Sequence, residues 1–97
     1  MKRPSAKTSG GVDVTTSSQV LVAENRGRLE LTITNNSAND VSLALRVANG
    51  VNSADPTAVV DDGIVLKADG GSWTTNNYSG PVAFIAAAAS RVAVVEI

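Results

Sequence analysis

Chemistry in a protein chain begins with groups that move protons, attack carbon or hold metals, and this chain has few of them. Among its 97 residues there is no histidine and no cysteine. That removes the commonest general base, the commonest metal ligands and every Ser–His or Cys–His nucleophile pair. Carboxylates remain: Asp55, Asp61, Asp62 and Asp69 are candidates for a hydrolytic acid pair or for oxygen ligands to calcium. All four fall in predicted turns, where an aspartate ordinarily caps backbone amides. Asp61-Asp62-Gly63 also lacks the alternating ligand spacing of a calcium loop. The expectation is a protein with no catalytic residue, no metal and no cofactor.

Other signals are equally spare. Gly63 and Gly70-Gly71 neither open a helix nor precede a Lys-Ser/Thr pair, so no phosphate cradle is present. The sequons Asn35-Asn36-Ser37 and Asn77-Tyr78-Ser79 are what chance gives in a chain rich in Asn and Ser. Trp73 and Tyr78 are two of only three aromatic residues. Exposed on one face, they could stack on a sugar ring. Stacking on bases would call for surrounding cations, and only Lys67 lies near in sequence. The alternative is a core tryptophan beside a turn and an anchoring tyrosine.

The elements that must carry these residues are read from composition and periodicity. Hydrophobic residues make up 43% of the chain but aromatics only 3%, so the core is built from Val, Leu, Ile and Ala. Val and Thr are stiff at χ1 and suit a pleated surface. No apolar run approaches the ~20 residues that a membrane-spanning helix needs, and no apolar stretch follows the basic start, so no cleavable leader is expected. The net charge is −1. Residues 1–11 hold Lys2, Arg3 and Lys7 without an acid, so the remainder must carry −4. A nucleic-acid partner is not expected from that balance.

Residues 1–11 read as a flexible basic arm and residues 12–97 as one folded domain. Val12 and Val14 alternate with polar neighbours, and Val20 and Val22 follow. Leu29, Leu31 and Ile33 alternate with Arg28, Glu30, Thr32 and Thr34, predicting a strand with one dry and one wet face. Val41, Leu43, Leu45 and Val47 repeat the pattern after the polar run Asn35–Asp40, which predicts a hairpin. Asn49–Asp62 reads as a long loop with Ala58–Val60 as a short edge strand. Strands follow at Ile64–Leu66, Ser72–Thr75 and Val82–Ile85. Ala86–Ala89 is too short to nucleate a helix and reads as a compact connection. In Arg91–Ile97, Val92 and Val94 lie on one side and Ala93, Val95 and Ile97 on the other. Apolar residues on both faces predict a central strand or one covered by another subunit. The whole is an all-β chain of seven to eight short strands, an antiparallel β-sandwich or small barrel.

The order of these segments resembles small virion structural proteins of tailed bacteriophages, the head decoration or cement proteins among them. The resemblance runs through Ser18–Ala23, the L-x-I-x-N-N-S stretch Leu31–Ser37, Gly63–Ser72, the Y-x-G-x-V stretch Tyr78–Val82 and the V-x-V-x-E strand Val92–Glu96. It spans about residues 15–96, and Ala48–Asp62 is longer than the connection usual in the pattern. The resemblance implies a non-enzymatic protein made in the host cytoplasm and resident on the capsid surface. Its partners would be the major capsid protein and itself, as a homotrimer, with no nucleic acid, membrane or small-molecule substrate. The arm residues Lys2, Arg3 and Lys7 would reach an acidic partner surface, and Ala93, Val95 and Ile97 would lie at a subunit interface. A tail, neck or fibre position, or a carbohydrate-binding module acting through Trp73 and Tyr78, are the alternatives.

Overall fold

The computed structural model describes residues 8–46 and 56–97, Thr8 and Ser9 by their backbone alone. Eight strands run in chain order: β1 (Thr8–Val14), β2 (Gln19–Val22), β3 (Leu31–Asn35), β4 (Val41–Leu45), β5 (Ile64–Leu66), β6 (Ser72–Thr75), β7 (Val82–Ala86) and β8 (Ser90–Glu96). They form two antiparallel sheets of four, ordered β1-β8-β3-β6 and β2-β7-β4-β5. The all-β expectation is met as a sandwich, and this strand order is the double Greek key of a jelly roll.

The core follows from the alternation. Leu31 and Ile33 of β3 and Val92 and Val94 of β8 point inward from the first sheet. From the second come Val41 and Leu43 of β4, Leu66 of β5, and Val82, Phe84 and Ala86 of β7. Phe84, Leu31 and Ile33 are wholly buried. In β8 the two-sided apolar pattern marks a central strand, paired with β1 on one side and β3 on the other.

Four expectations are corrected. Leu31–Asn35 and Val41–Leu45 are both strands, but they do not form a hairpin. β3 pairs with β6 and β8, and β4 with β5 and β7, so the polar run between them crosses from one sheet to the other. Among the described strands, β4 and β5 are the one pair consecutive in sequence that share a sheet. Alternation fixes which side of a strand is dry but not which strand lies beside it, and both arrangements bury the same residues. Second, Leu29 is 58% exposed while Arg28 is buried, the reverse of their predicted faces, because the extended backbone begins only at Leu31. Third, residues 8–11 belong to a strand and not to an arm: Thr8–Gly11 pair with Ala93–Glu96 of β8. Lys2, Arg3 and Lys7 lie outside the described residues.

Ala58–Val60 is not an edge strand either. The Ala58 amide donates to Ser18 Oγ at 2.8 Å and the Asp61 amide to Ser42 Oγ at 2.9 Å. Ser18 immediately precedes β2 and Ser42 lies in β4, with β7 between them. Three residue steps cover ~10 Å, which matches two strand spacings. The segment is therefore a strap laid across the second sheet, and it helps bury Ser42 on that sheet's outer side.

Candidate interaction surfaces

Ala93, Val95 and Ile97 fall in one row along the outer side of β8, each half-buried by its neighbours. Ala93 sits between Gly11 and Thr34, and Val95 between Ser9 and Thr32. The next strand adds Ser72 and Thr74, and the hydroxyls of Thr32 and Thr74 meet at 3.1 Å. At one end the Arg91 guanidinium lies over Gly11 to reach Asp13 Oδ1 at 2.7 Å. A Cβ on Gly11 would come within 2.5 Å of Arg91 Nε, so the glycine is what lets this ion pair lie flat. The result is a surface of hydroxyl and aliphatic side chains with the Arg91–Asp13 pair at its margin. Such a face suits packing against another protein surface and offers no group for a reaction.

A second feature opens between edge strands β1 and β2. A cleft of about 570 Å³ is lined by Gly10, Val12, Leu21, Val94, Asn25 and Glu96, among others. Gly10 occupies an inward-facing position and nothing lies within 4 Å of where its Cβ would be, so the missing side chain leaves the sandwich open there. The carboxylate of Glu96 is held by Asn25 Nδ2 and lies 3.6 Å from Arg28 Nη2. Glu24, also on the rim, is paired with Arg46 at 2.5 Å and with Arg26 at 3.7 Å. Both carboxylates of the cleft are thus paired with cations.

Arg28 was not singled out by the sequence, yet its side chain is only 1% exposed. It donates from Nη1 to the carbonyls of Tyr78 and Gly80 at 3.1 and 3.0 Å, and from Nη2 to that of Ala23 at 2.9 Å. Its partners are 5 and about 50 residues away, so no local spacing announces it.

The proposed glycan aromatics are both engaged. Trp73 packs on the core beside Ile33, its partner across β3 and β6. The Tyr78 hydroxyl donates to the Pro81 carbonyl at 2.5 Å and accepts from the Arg46 amide at 2.7 Å, with the ring against Gly80. The acids are also dispersed. Asp61 and Asp62 neighbour one another on the strap and Asp69 lies in a separate turn, while Asp55 lies outside the described residues. Asp61 and Asp69 take left-handed backbone angles of 61° and 60°, a conformation that Asp tolerates in turns. Among the described residues no group of three or more His, Cys, Asp or Glu could hold a metal ion.

No family model, curated protein or solved structure matches this chain.

Proposed function

We propose that the protein is a non-enzymatic virion component of a tailed bacteriophage, a head decoration protein that binds the capsid surface and stabilises it through protein–protein contacts. The observation that carries this reading is the jelly-roll strand order, an architecture used by viral capsid domains and by lectins. Fold alone does not assign function; the motif resemblance and the half-buried apolar row on the outer face of β8 turn the choice toward protein contacts. Repeated weak contacts by many copies gain strength from effective concentration. The carbohydrate-binding alternative draws no support from Trp73 and Tyr78, whose rings and hydroxyl are committed within the domain. A tail or neck position needs the same surfaces and differs only in the partner.

Co-sedimentation of the purified chain with capsids that lack it tests the reading. Saturable binding in a fixed ratio to the major capsid protein is the expected result. A chain that stays in the supernatant at every concentration overturns it. Removing residues 1–7 is expected to weaken capsid binding and leave the circular dichroism unchanged. The deletion stops there because Thr8 begins β1.

A further inference from the structure

Every cation among the described residues is paired with an acid. Arg26 and Arg46 pair with Glu24, Arg28 with Glu96, Lys67 with Asp40 and Arg91 with Asp13. The cations outside this set are Lys2, Arg3 and Lys7, all ahead of β1. Among the described residues, the acids with no cation partner are Glu30, Asp61, Asp62 and Asp69. Two of these four are neighbours on the strap.

The same strap exposes apolar surface. Val59 is 55% and Val60 38% exposed, and Val20, two residues beyond the Ser18 anchor, is 39% exposed. Val20 pairs with the buried Ala83 and so shares the outer side of the second sheet with the strap. Among the described residues, three of the four exposed large hydrophobics therefore lie on one side of the molecule, bordered by Asp61 and Asp62. The segment Met1–Lys7 (MKRPSAK) complements this composition, with three cations alongside Met1, Pro4 and Ala6.

Geometry separates the two within one copy. Thr8 lies opposite Glu96 at one end of the first sheet, whereas the strap crosses the second sheet over the row of Ser42 and Ile85, toward the other end. Seven extended residues reach at most ~25 Å. An arm turning back on its own domain would need ~20 Å to retrace β1 and ~10 Å more to pass the sandwich. Its reach would be used up before it docked.

We propose that residues 1–7 of one copy dock on the Val59–Asp62 strap of a neighbouring copy, cations on Asp61 and Asp62 and apolar residues on the valines. Donor and acceptor surfaces differ, so the contact is head-to-tail and propagates into a ring or an open chain. It is a property of the chain itself. On a capsid it would tie adjacent copies together and so deepen the decoration reading, but it stands without it.

Sedimentation velocity of three proteins tests the proposal: the full chain, the chain lacking residues 1–7, and an Asp61→Asn, Asp62→Ser variant. Asn tolerates the left-handed angle at position 61, and Ser keeps an oxygen beside the Gly63 amide that Asp62 now accepts from. The full chain is expected to sediment as an oligomer at low salt and to dissociate at high salt, and both variants as monomers. Because the protein has no cysteine, disulfide mapping is clean. Ser5→Cys copies mixed with Val60→Cys copies are expected to give a covalent heterodimer under mild oxidation, and Ser5→Cys mixed with Ser72→Cys is not. A full chain that is monomeric without trans cross-linking overturns the proposal. So do variants that associate like the full chain, or equal cross-linking to positions 60 and 72. A chain that associates through the strap yet ignores capsids keeps this contact and loses the decoration role; a monomer that saturates capsids does the reverse.

Discussion

The two ends of the sandwich solve one problem by different chemistry. At each end, chain segments cross between sheets and turn backbone carbonyls toward the interior, where each needs a donor. At the end marked by Leu31 and Glu96, the donor is a cation: Arg28 serves three carbonyls and faces the Glu96 carboxylate. At the end marked by Asn35 and Val92, the donor is neutral. Asn35 is fully buried, and its Nδ2 donates to the carbonyls of Asn39, Leu66 and Lys67 at 2.7, 3.0 and 3.2 Å. Its Oδ1 accepts from the amide and hydroxyl of Ser37 at 3.0 and 2.7 Å. The amide satisfies the corner without importing a charge, whereas the guanidinium brings one and needs a buried acid to balance it.

The comparison predicts that the charged end fails harder. Arg28→Met removes the donor and strands Glu96, which is 7% exposed; the expected loss is about 3–5 kcal/mol in urea unfolding. Pairing it with Glu96→Leu removes the stranded charge, and the double variant is expected to be more stable than Arg28→Met alone. A double variant no better than the single one would show that the carbonyl contacts, not the charge, set the cost.

Asn35→Leu breaks the neutral end at similar side-chain volume. Only the Leu66 carbonyl contact is fully buried, and water can reach the others, so the expected loss is about 2–3 kcal/mol. A loss equal to that of Arg28→Met would remove the distinction between the two ends.

These residues also show what the sequence could and could not reveal. The strand positions were legible because Leu31/Ile33, Val41/Leu43 and Val92/Val94 repeat every second residue and each strand buries one side. The two-sided apolar run in β8 reads as a central strand or one covered by another subunit, and β8 does lie between β1 and β3. Asn35 continues the inward phase of Leu31 and Ile33, but a polar residue at that position is indistinguishable from the start of a turn until its partners are known. Those partners include Leu66 and Lys67, more than 30 residues away. Alternation puts Arg28 on the wet face only when it is extended three residues ahead of Leu31, where the strand begins. The hairpin between β3 and β4 failed because pairing is a long-range property. The two-residue period is local. Of the candidate surfaces, the row Ala93, Val95 and Ile97 was visible as an excess of apolar residues on a second face. The strap was visible only as a long irregular loop, since its anchors, Ser18 and Ser42, are ordinary serines in sequence.

The smallest expected effect separates the two ends by pH. Asp40 closes the neutral end: its Oδ1 accepts from the Ala68 amide at 2.8 Å and its Oδ2 lies 3.4 Å from Lys67 Nζ. The Ala68 hydrogen bond holds its carboxyl below the usual aspartate range, partial desolvation opposes this, and Lys67 adds to it. A carboxylate with a lowered pKa in the folded state stabilises at neutral pH, and that contribution is lost as pH falls through the folded value. The loss should therefore appear below roughly pH 4, the ordinary aspartate value. Asp40→Asn keeps a carbonyl oxygen for the Ala68 amide but does not titrate. Its stability relative to the parent is expected to be slightly lower at neutral pH, with the gap closing on acidification. The carboxylate is solvent-exposed, so the change is small and best read from paired thermal melts between about pH 6 and pH 2.5, which bracket the ordinary aspartate value. A gap that stays constant across that interval would show that the corner is held by hydrogen-bond geometry alone, and that charge matters only at the Arg28 end.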